Sequence, residues 1–154
     1  MQDRYAGDVG DFLKFVTLRR LSTSADGGPT FRLGIVWYRA NTAEANDDGK
    51  HITYLARRTV RDIGLCSIDE ELAECLAQVA NAEARSIAAL QVCGALAPST
   101  TYHGEPLSWD GLAPFQVNER LHHRAEWLRR GIERTREADL VFLDPVADRD
   151  VPGD

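Results

Sequence analysis

The 154-residue sequence lacks the features that define several large classes of protein. No hydrophobic run approaches the ~18 residues that a membrane-spanning helix needs. The N-terminus, Met-Gln-Asp-Arg-Tyr, has no apolar signal region, so we expect a cytoplasmic protein. There are only three cysteines and no Cys-x-x-Cys pair, which argues against a disulfide framework or a zinc knuckle. Reduced, packed thiols are expected instead.

Common catalytic and nucleotide-binding motifs are also missing. No Gly-x-Gly-x-x-Gly follows the apolar segment 33–38, and there is no Walker phosphate loop and no Gly-x-Ser-x-Gly elbow. The net charge of −6 disfavours binding of nucleic acid over the whole surface. A local basic face remains compatible with that charge.

Two apolar segments predict the strands of a parallel sheet. Residues 32–39 (Arg-Leu-Gly-Ile-Val-Trp-Tyr-Arg) and 138–145 (Ala-Asp-Leu-Val-Phe-Leu-Asp-Pro) are nearly continuous apolar runs, as expected for strands buried on both faces. We expect them to be neighbours, with 32–39 central. Residues 100–104 form a weaker strand. Because helical segments separate the strands, the sequence predicts an α/β sheet with right-handed crossovers.

Five helical segments are predicted between and around the strands. The first begins at the Asp8 cap, and the second covers 51–62. The third follows a capping box at 67–70, and the last two cover 84–96 and 115–137. The apolar positions that we expect to be buried on them are Val9, Phe12, Leu13 and Val16; Ile52, Leu55 and Val60; Leu72, Leu76 and Val79; Ile87, Leu90 and Val92; and Val117, Leu121, Leu128 and Ile132.

The most promising candidate site lies at the carboxyl ends of the two strands. Ligands of open α/β sheets bind there, and Asp144 ends the second strand. The loop after the first strand carries Asn46, Asp47, Asp48 and Lys50. If the strands are neighbours, these groups converge and could bind a ribose, an amine or a metal-bound water. The alternative is a pair of ordinary polar loops, since Asp is common in turns.

Two further clusters of charge have simpler explanations. Asp8, Asp11 and Lys14 share one side of a helix and could hold a metal or a phosphate, but helix capping accounts for both carboxylates. The segment 115–137 is rich in arginine and is the best place to meet RNA or DNA phosphate, although a solvated helix face is the favoured interpretation. Its basic residues are Arg120, His122, His123, Arg124, Arg129, Arg130, Arg134 and Arg136.

Three segments together resemble a family of uncharacterised bacterial proteins and, more distantly, the ribosomal-RNA adenine-N6 methyltransferases of the class I fold. They are 3–14 (Asp-Arg-Tyr-Ala-Gly-Asp-Val-Gly-Asp-Phe-Leu-Lys), 33–38 with 46–51, and 140–145. The resemblance implies that Asp144 and Pro145 lie at the target amine and that Lys14 lies near the site. Val146-Ala147 replaces the Pro and aromatic residue of those enzymes, and residues 39–43 replace their glycine-rich cofactor loop.

We therefore expect a Rossmann-like three-layer α/β domain at 1–145, with a small, mostly parallel sheet truncated after the Asp-Pro strand, and a polar tail at 146–154. The leading hypothesis is a methyltransferase-like protein that uses S-adenosylmethionine and acts on an amine of a nucleic acid. Its predicted catalytic residues are Asp144, Pro145 and Lys14, and its predicted cofactor-binding residues are Asn46, Asp47, Asp48 and Lys50.

Two other classes of function remain open. One is a magnesium-dependent nuclease or phosphoryl-transfer enzyme using Asp8, Asp11, Asp48 and Asp144. The other is a non-enzymatic binding domain. We also expect a homodimer that covers the open edge of the terminal strand. The alternative is that residues 100–104 or the N-terminal segment cover this edge.

Overall fold

The fold is α/β with a small three-stranded parallel sheet, as the sequence predicts. The computed structural model describes residues 3–24, 28, 30–39, 51–82 and 85–144. The helices are α1 (Val9–Ser22), α2 (Val60–Cys66), α3 (Glu70–Asn81), α4 (Ile87–Val92) and α5 (Val117–Arg134), with short 3-10 helices at Asp3–Tyr5 and Thr53–Ala56. The strands are β1 (Leu33–Trp37), β2 (Thr101–His103) and β3 (Leu140–Asp144).

The described residues form two compact units. Unit 1 holds the sheet and α5, with described residues 33–39 and 101–144. Unit 2 holds the other helices, with described residues between 3 and 32 and between 51 and 100. Whether 1–145 behaves as a single domain in folding stays a prediction.

β1 is the centre of unit 1, and all five of its residues are buried. It pairs in parallel with β2 on one side and with β3 on the other, which confirms the predicted neighbours. The segment 100–104 does form a strand, but β2 lies on the side of β1 away from β3. The expectation that this segment could protect the outer edge of β3 is therefore wrong.

α5 packs on one face of the sheet around Gly131. A Cβ atom built on Gly131 would lie 3.3 Å from Val36 Cγ1, and Trp127 and Thr135 are fully buried beside it. The predicted buried side of α5 is wrong, because Val117, Leu121 and Ile132 are exposed. The side of α5 that faces the sheet carries Trp127 and Gly131, so the predicted apolar residues lie on a different flank. The helix is also shorter than the predicted segment 115–137.

α1 begins where the sequence predicts, with Asp8 as its N-cap. The Asp8 carboxylate accepts a hydrogen bond from Asp11 N at 2.9 Å. The buried stripe runs through Phe12, Phe15 and Leu18, whereas the predicted stripe included Leu13, which is half exposed. Phe12 is buried as predicted, and Phe15, which the predicted stripe left out, is buried as well.

The predicted helix 51–62 is wrong as a continuous element. Arg57 has a left-handed backbone (φ 50°), which ends the 3-10 turn, and Thr59 starts α2 with a reciprocal capping box to Asp62. Val60 therefore lies in the first turn of α2 and is 88% exposed. The capping box predicted at 67–70 is also wrong, because Asp69 alone caps α3.

The last two helices of unit 2 agree with the sequence over most of their length. Leu72, Leu76 and Val79 of α3 are buried as predicted. α4 is shorter than the predicted 84–96, and its last residue, Val92, is exposed rather than buried. The cysteines at 66, 75 and 93 are free thiols.

Candidate functional site at the carboxyl ends of the strands

Asp144 ends β3 directly beside the end of β1. In the parallel register Trp37 stands next to Asp144, and Tyr38 N donates a hydrogen bond to Asp144 O at 3.3 Å. Asp144 is only 5% exposed, so its carboxylate is held in a largely dehydrated position. Burial of a carboxylate is costly unless it has polar partners, which makes this residue unusual for a strand end.

The order of the strands reverses at this point. From β1 the chain passes to β2 on one side, and from β2 it crosses back over β1 to β3 on the other side. Such a reversal leaves a crevice outside the carboxyl ends of the two strands that flank it. Asp144 is the last residue of β3 and Tyr38 follows the last residue of β1, so both stand at these strand ends in unit 1.

An aromatic cluster lies at the carboxyl ends of β1 and β2. We define it as Tyr38, His103 and Trp127, whose rings pack with centroid distances of 4.5 Å (Tyr38–Trp127) and 5.0 Å (His103–Trp127). Trp127 Nε1 donates to Glu105 O at 2.8 Å, which fixes the indole. The Arg124 guanidinium lies 5.7 Å above the centre of the Tyr38 ring.

A second aromatic contact lies at the start of α5. The Arg120 guanidinium is 4.4 Å from the centre of the Trp109 ring, and His123 packs on the same ring at 5.9 Å. Arginine stacked on an aromatic ring keeps its hydrogen-bond donors at the edge of the plane, where they can bind phosphate. The first half of α5 therefore combines flat rings with cationic donors.

His103 is the buried titratable group of this region. It is 6% exposed, and its Nε2 atom has no hydrogen-bond partner in the described part of the chain. Burial lowers the pKa of His103, Glu105 raises it, and Arg130 and Arg134 lower it further. The net result is a lowered pKa, so the neutral imidazole is favoured.

Arg129 and Arg130 of α5 form ion pairs with glutamates. Arg130 Nη2 and Nε lie 2.8 and 3.1 Å from the carboxylate of Glu105. The hydrogen bond from Arg130 lowers the pKa of Glu105. Arg129, the residue before Arg130, pairs with Glu126. Such exposed pairs contribute little to stability, but they reduce the free positive charge of this face.

Asp11 and Lys14 are explained by local structure in unit 2. The Asp11 carboxylate is 1% exposed and accepts a hydrogen bond from Gly7 N at 2.9 Å. Its other oxygen lies 3.5 Å from Lys14 Nζ. With Asp8 acting as the helix cap, both carboxylates of the predicted Asp8, Asp11 and Lys14 cluster have structural partners.

The rest of the N-terminal segment is tied into unit 2 in the same way. Asp3 Oδ1 accepts from Ile87 N at 2.9 Å and so caps the first turn of α4. The Arg85 guanidinium donates to Ala6 O, and Tyr54 OH donates to Gly7 O at 3.3 Å. Several residues of the segment that carries the most specific part of the resemblance thus have structural partners in unit 2.

The structure describes two of the seven predicted site residues. Asp144 belongs to unit 1 and Lys14 to unit 2. The others, Asn46, Asp47, Asp48, Lys50 and Pro145, lie outside the described residues, as does Asp48 of the magnesium hypothesis. Within the described ranges no group of three metal-ligating side chains is found.

Sequence reasoning missed the aromatic cluster. Tyr38 and His103 each stand at or just after the last residue of a parallel strand, which is the same signal that identified Asp144. Trp127 carried no comparable signal, because the rings that it contacts, Tyr38 and His103, are distant from it in sequence.

Comparison with known proteins identifies no family for this chain. No protein-family model matches the sequence, and neither a curated protein nor a solved structure matches it. Among the helices of the described residues, none has the length and apolar character needed to cross a membrane.

Proposed function

We propose that this chain is a methyltransferase-like protein whose target is an amine of a nucleic acid base. The observation that carries the proposal is the buried carboxylate of Asp144 at the carboxyl end of β3, beside the central strand and at the reversal of strand order. An ionised carboxylate only accepts hydrogen bonds, so it suits an exocyclic amine, which donates two.

The proposed role of Asp144 is to orient the amine. Transfer of a methyl group depends chiefly on holding the nucleophile in line with the donor, and proper alignment can supply most of the rate enhancement. S-adenosylmethionine, when bound, would supply an activated methyl group: the carbon–sulfur bond would break as the carbon–nitrogen bond forms, the neutral thioether would leave, and the proton of the amine would pass to solvent. Low exposure of Asp144 strengthens its hydrogen bond to the amine, because water competes less.

The first half of α5 supports a nucleic acid as the larger substrate. Arg120 and Arg124 lie against aromatic rings in unit 1, the unit that contains Asp144. Aromatic rings stack on unpaired bases and arginines bind phosphate, and this combination is typical of proteins that hold single-stranded RNA or DNA. The target class is therefore an unpaired adenine or a similar base that carries an amine.

The proposal predicts that Asp144→Asn separates cofactor binding from transfer. The asparagine amide has one acceptor oxygen where the carboxylate has two. Transfer of labelled methyl groups from S-adenosylmethionine to RNA should therefore fall on the order of 100-fold or more. Calorimetric binding of S-adenosylmethionine should change little. Asp139→Asn, at the exposed start of the same strand segment, is the matched control and should retain the activity of the unsubstituted chain.

Three outcomes contradict this function. One is the absence of S-adenosylmethionine binding to the unsubstituted chain. Another is equal transfer by the Asp144→Asn variant and the Asp139→Asn control. A calorimetric response to magnesium without any response to S-adenosylmethionine would favour the phosphoryl-transfer class instead.

A further inference from the structure

Two of the three cysteines of the chain lie side by side in unit 2. Cys75 belongs to α3, and Cys93 is the C-cap residue of α4. Each thiol is the side-chain hydrogen-bond partner of the other, and both residues are half-buried. They lie 18 positions apart in the sequence, so the packing of two helices brings them together rather than a local turn. We call these two residues the thiol pair.

Arg19 of α1 holds the chain on both sides of the thiol pair. Its Nε atom donates to Asp69 Oδ2 and its Nη2 atom donates to Glu71 Oε2, each at 2.7 Å. Glu71 lies one helical turn before the first thiol of the pair. The Nη1 atom of Arg19 donates to Ala95 O at 3.1 Å, two residues after the second thiol. One guanidinium therefore fixes both segments that carry the pair, so the two sulfur atoms are held near each other in the folded chain.

Cys66 lies in a different environment and provides an internal reference. It is 1% exposed, and its Sγ atom donates to Tyr54 O at 3.5 Å. A thiol buried in this way is inert, whereas a partly exposed thiol can meet a reagent from solution. The fold thus separates the three cysteines into one sequestered thiol and one accessible pair.

The electrostatic surroundings of the pair favour the neutral thiols. Burial raises the pKa of both, and for Cys75 the nearby carboxylate of Glu71 raises the pKa further, against the opposing effect of Arg19. Dithiols become strong oxidants as disulfides when their reduced form is stabilised, and no such stabilisation of a thiolate is present here. A disulfide between these residues would therefore form slowly at neutral pH and, once formed, would resist reduction.

We propose that Cys75 and Cys93 are a site of reversible oxidative modification, which a low-molecular-weight disulfide such as oxidised glutathione converts to an intramolecular disulfide between α3 and α4. One cysteine thiolate attacks a sulfur of oxidised glutathione, whose S–S bond breaks, and one glutathione leaves and takes up a proton. The thiolate of the other cysteine then attacks the protein sulfur of this mixed disulfide, and the second glutathione leaves. The thiol pair loses two electrons and two protons, and oxidised glutathione gains both.

Peptide mapping of the full, folded chain tests the proposal. The reduced chain is incubated with oxidised glutathione, quenched in acid, alkylated and digested without reductant. The expected product is one cross-linked pair of peptides that carry Cys75 and Cys93, with Cys66 alkylated as a free thiol. Because the thiolate is the reactive form, the rate should rise about tenfold from about pH 7 to about pH 8.

The melting temperature of the oxidised chain gives a second measurement, which requires no substitution. The disulfide closes a loop in the unfolded chain and joins residues that already lie together in the folded one. The oxidised chain should therefore melt roughly 5–10 °C above the reduced chain.

Cysteine variants show whether the fold selects this pair. Cys75→Ser and Cys93→Ser each leave one accessible thiol, and both should stop at the mixed disulfide with glutathione. Cys66→Ala is the matched control and should form the same cross-link as the unsubstituted chain. Unreacted thiols, a glutathione adduct that persists on the unsubstituted chain, a link to Cys66 in the folded chain, or a melting temperature that oxidation does not raise would each overturn the proposal.

Discussion

His103 is a residue whose environment could not be inferred from its neighbours in the sequence. It ends a strand of three residues and packs between Trp127 and the backbone of Gly131. Burial lowers its pKa below the usual value of about 6.5. The folded state therefore holds the neutral ring. The free energy of unfolding falls when the unfolded state takes up a proton that the folded state does not.

We predict that this histidine makes the protein less stable in mild acid. With a lowered pKa in the folded state, its contribution is complete above about pH 6.5 and declines as the pH falls from there toward the folded-state pKa. Urea unfolding between about pH 7 and pH 5 should show this decline. His103→Phe keeps a ring against Trp127, and its unfolding free energy should vary less with pH. Equal slopes for the two proteins would contradict the assignment.

At the scale of elements, the contact between β1 and the end of α5 depends on a missing side chain. A Cβ atom on Gly34 would lie 2.7 Å from Thr135 Cβ and 3.0 Å from Ala138 Cβ. Distances this short require the strand and the turn after α5 to move apart. Gly34 therefore determines how closely the helix end approaches the central strand.

Two glycine substitutions should accordingly have opposite effects on stability. Gly34→Ala forces atoms into a filled space and should destabilise the protein by about 1–3 kcal/mol. Gly64→Ala lies within α2 with nothing within 4 Å of the added carbon, so it should stabilise by about 0.5–1 kcal/mol through helix propensity. Denaturant midpoints of the two variants measure the difference. An unchanged denaturant midpoint for Gly34→Ala would show that the strand and the turn separate freely.

The strands were predictable, while the buried faces of several helices were not. Continuous apolar runs such as 33–37 identify a parallel strand and its place in the sheet, because few other environments accept them. Asp8 could be predicted as a helix cap for an equally local reason, whereas the capping box predicted at 67–70 was wrong. The buried side of α5 depends on contacts with β1 and β2, which are distant in sequence. The left-handed backbone of Arg57 interrupts the segment 51–62, which the hydrophobic periodicity had predicted to be one helix.

The candidate site was predictable to the same extent. Asp144 could be identified because its position follows from the end of one strand and a general rule for parallel sheets. Tyr38 could have been found by the same rule. The pairing of Arg120 with Trp109 and of Arg124 with Tyr38 joins a loop or strand end to a helix, so no local pattern indicates it.

At the scale of the whole molecule, the negative charge of the chain contrasts with α5. The chain carries a net charge of −6, whereas α5 has five arginines and three glutamates. Any nucleic acid must therefore approach through a limited area. The arginines stacked on aromatic rings are the better candidates for that contact than those already paired with glutamate.

We predict that the two groups of arginines differ in their effect on RNA binding. Replacing both Arg120 and Arg124 by alanine should weaken binding of single-stranded RNA and lower the slope of log K against log salt by about 1.5, since each phosphate contact releases counterions. Replacing Arg129 and Arg136, which pair with Glu126 and Glu133, should change the slope little. Fluorescence anisotropy at several salt concentrations gives both slopes. If the unsubstituted chain does not bind RNA at low salt, the basic helix is only a solvated face.

The central position of β1 has a consequence for synthesis of the chain on the ribosome. Unit 2 can close once residues up to about 100 have emerged, since its longest described ties join Asp3 to Ile87 and Ala6 to Arg85. β1 emerges early, but it must wait for Leu140–Asp144 to complete its pairing. Translation of the intervening ~40 residues after β2 takes roughly 2–8 s. During that interval the β3 edge of an entirely apolar strand has not yet found its partner, so β1 is exposed to pairing with another chain.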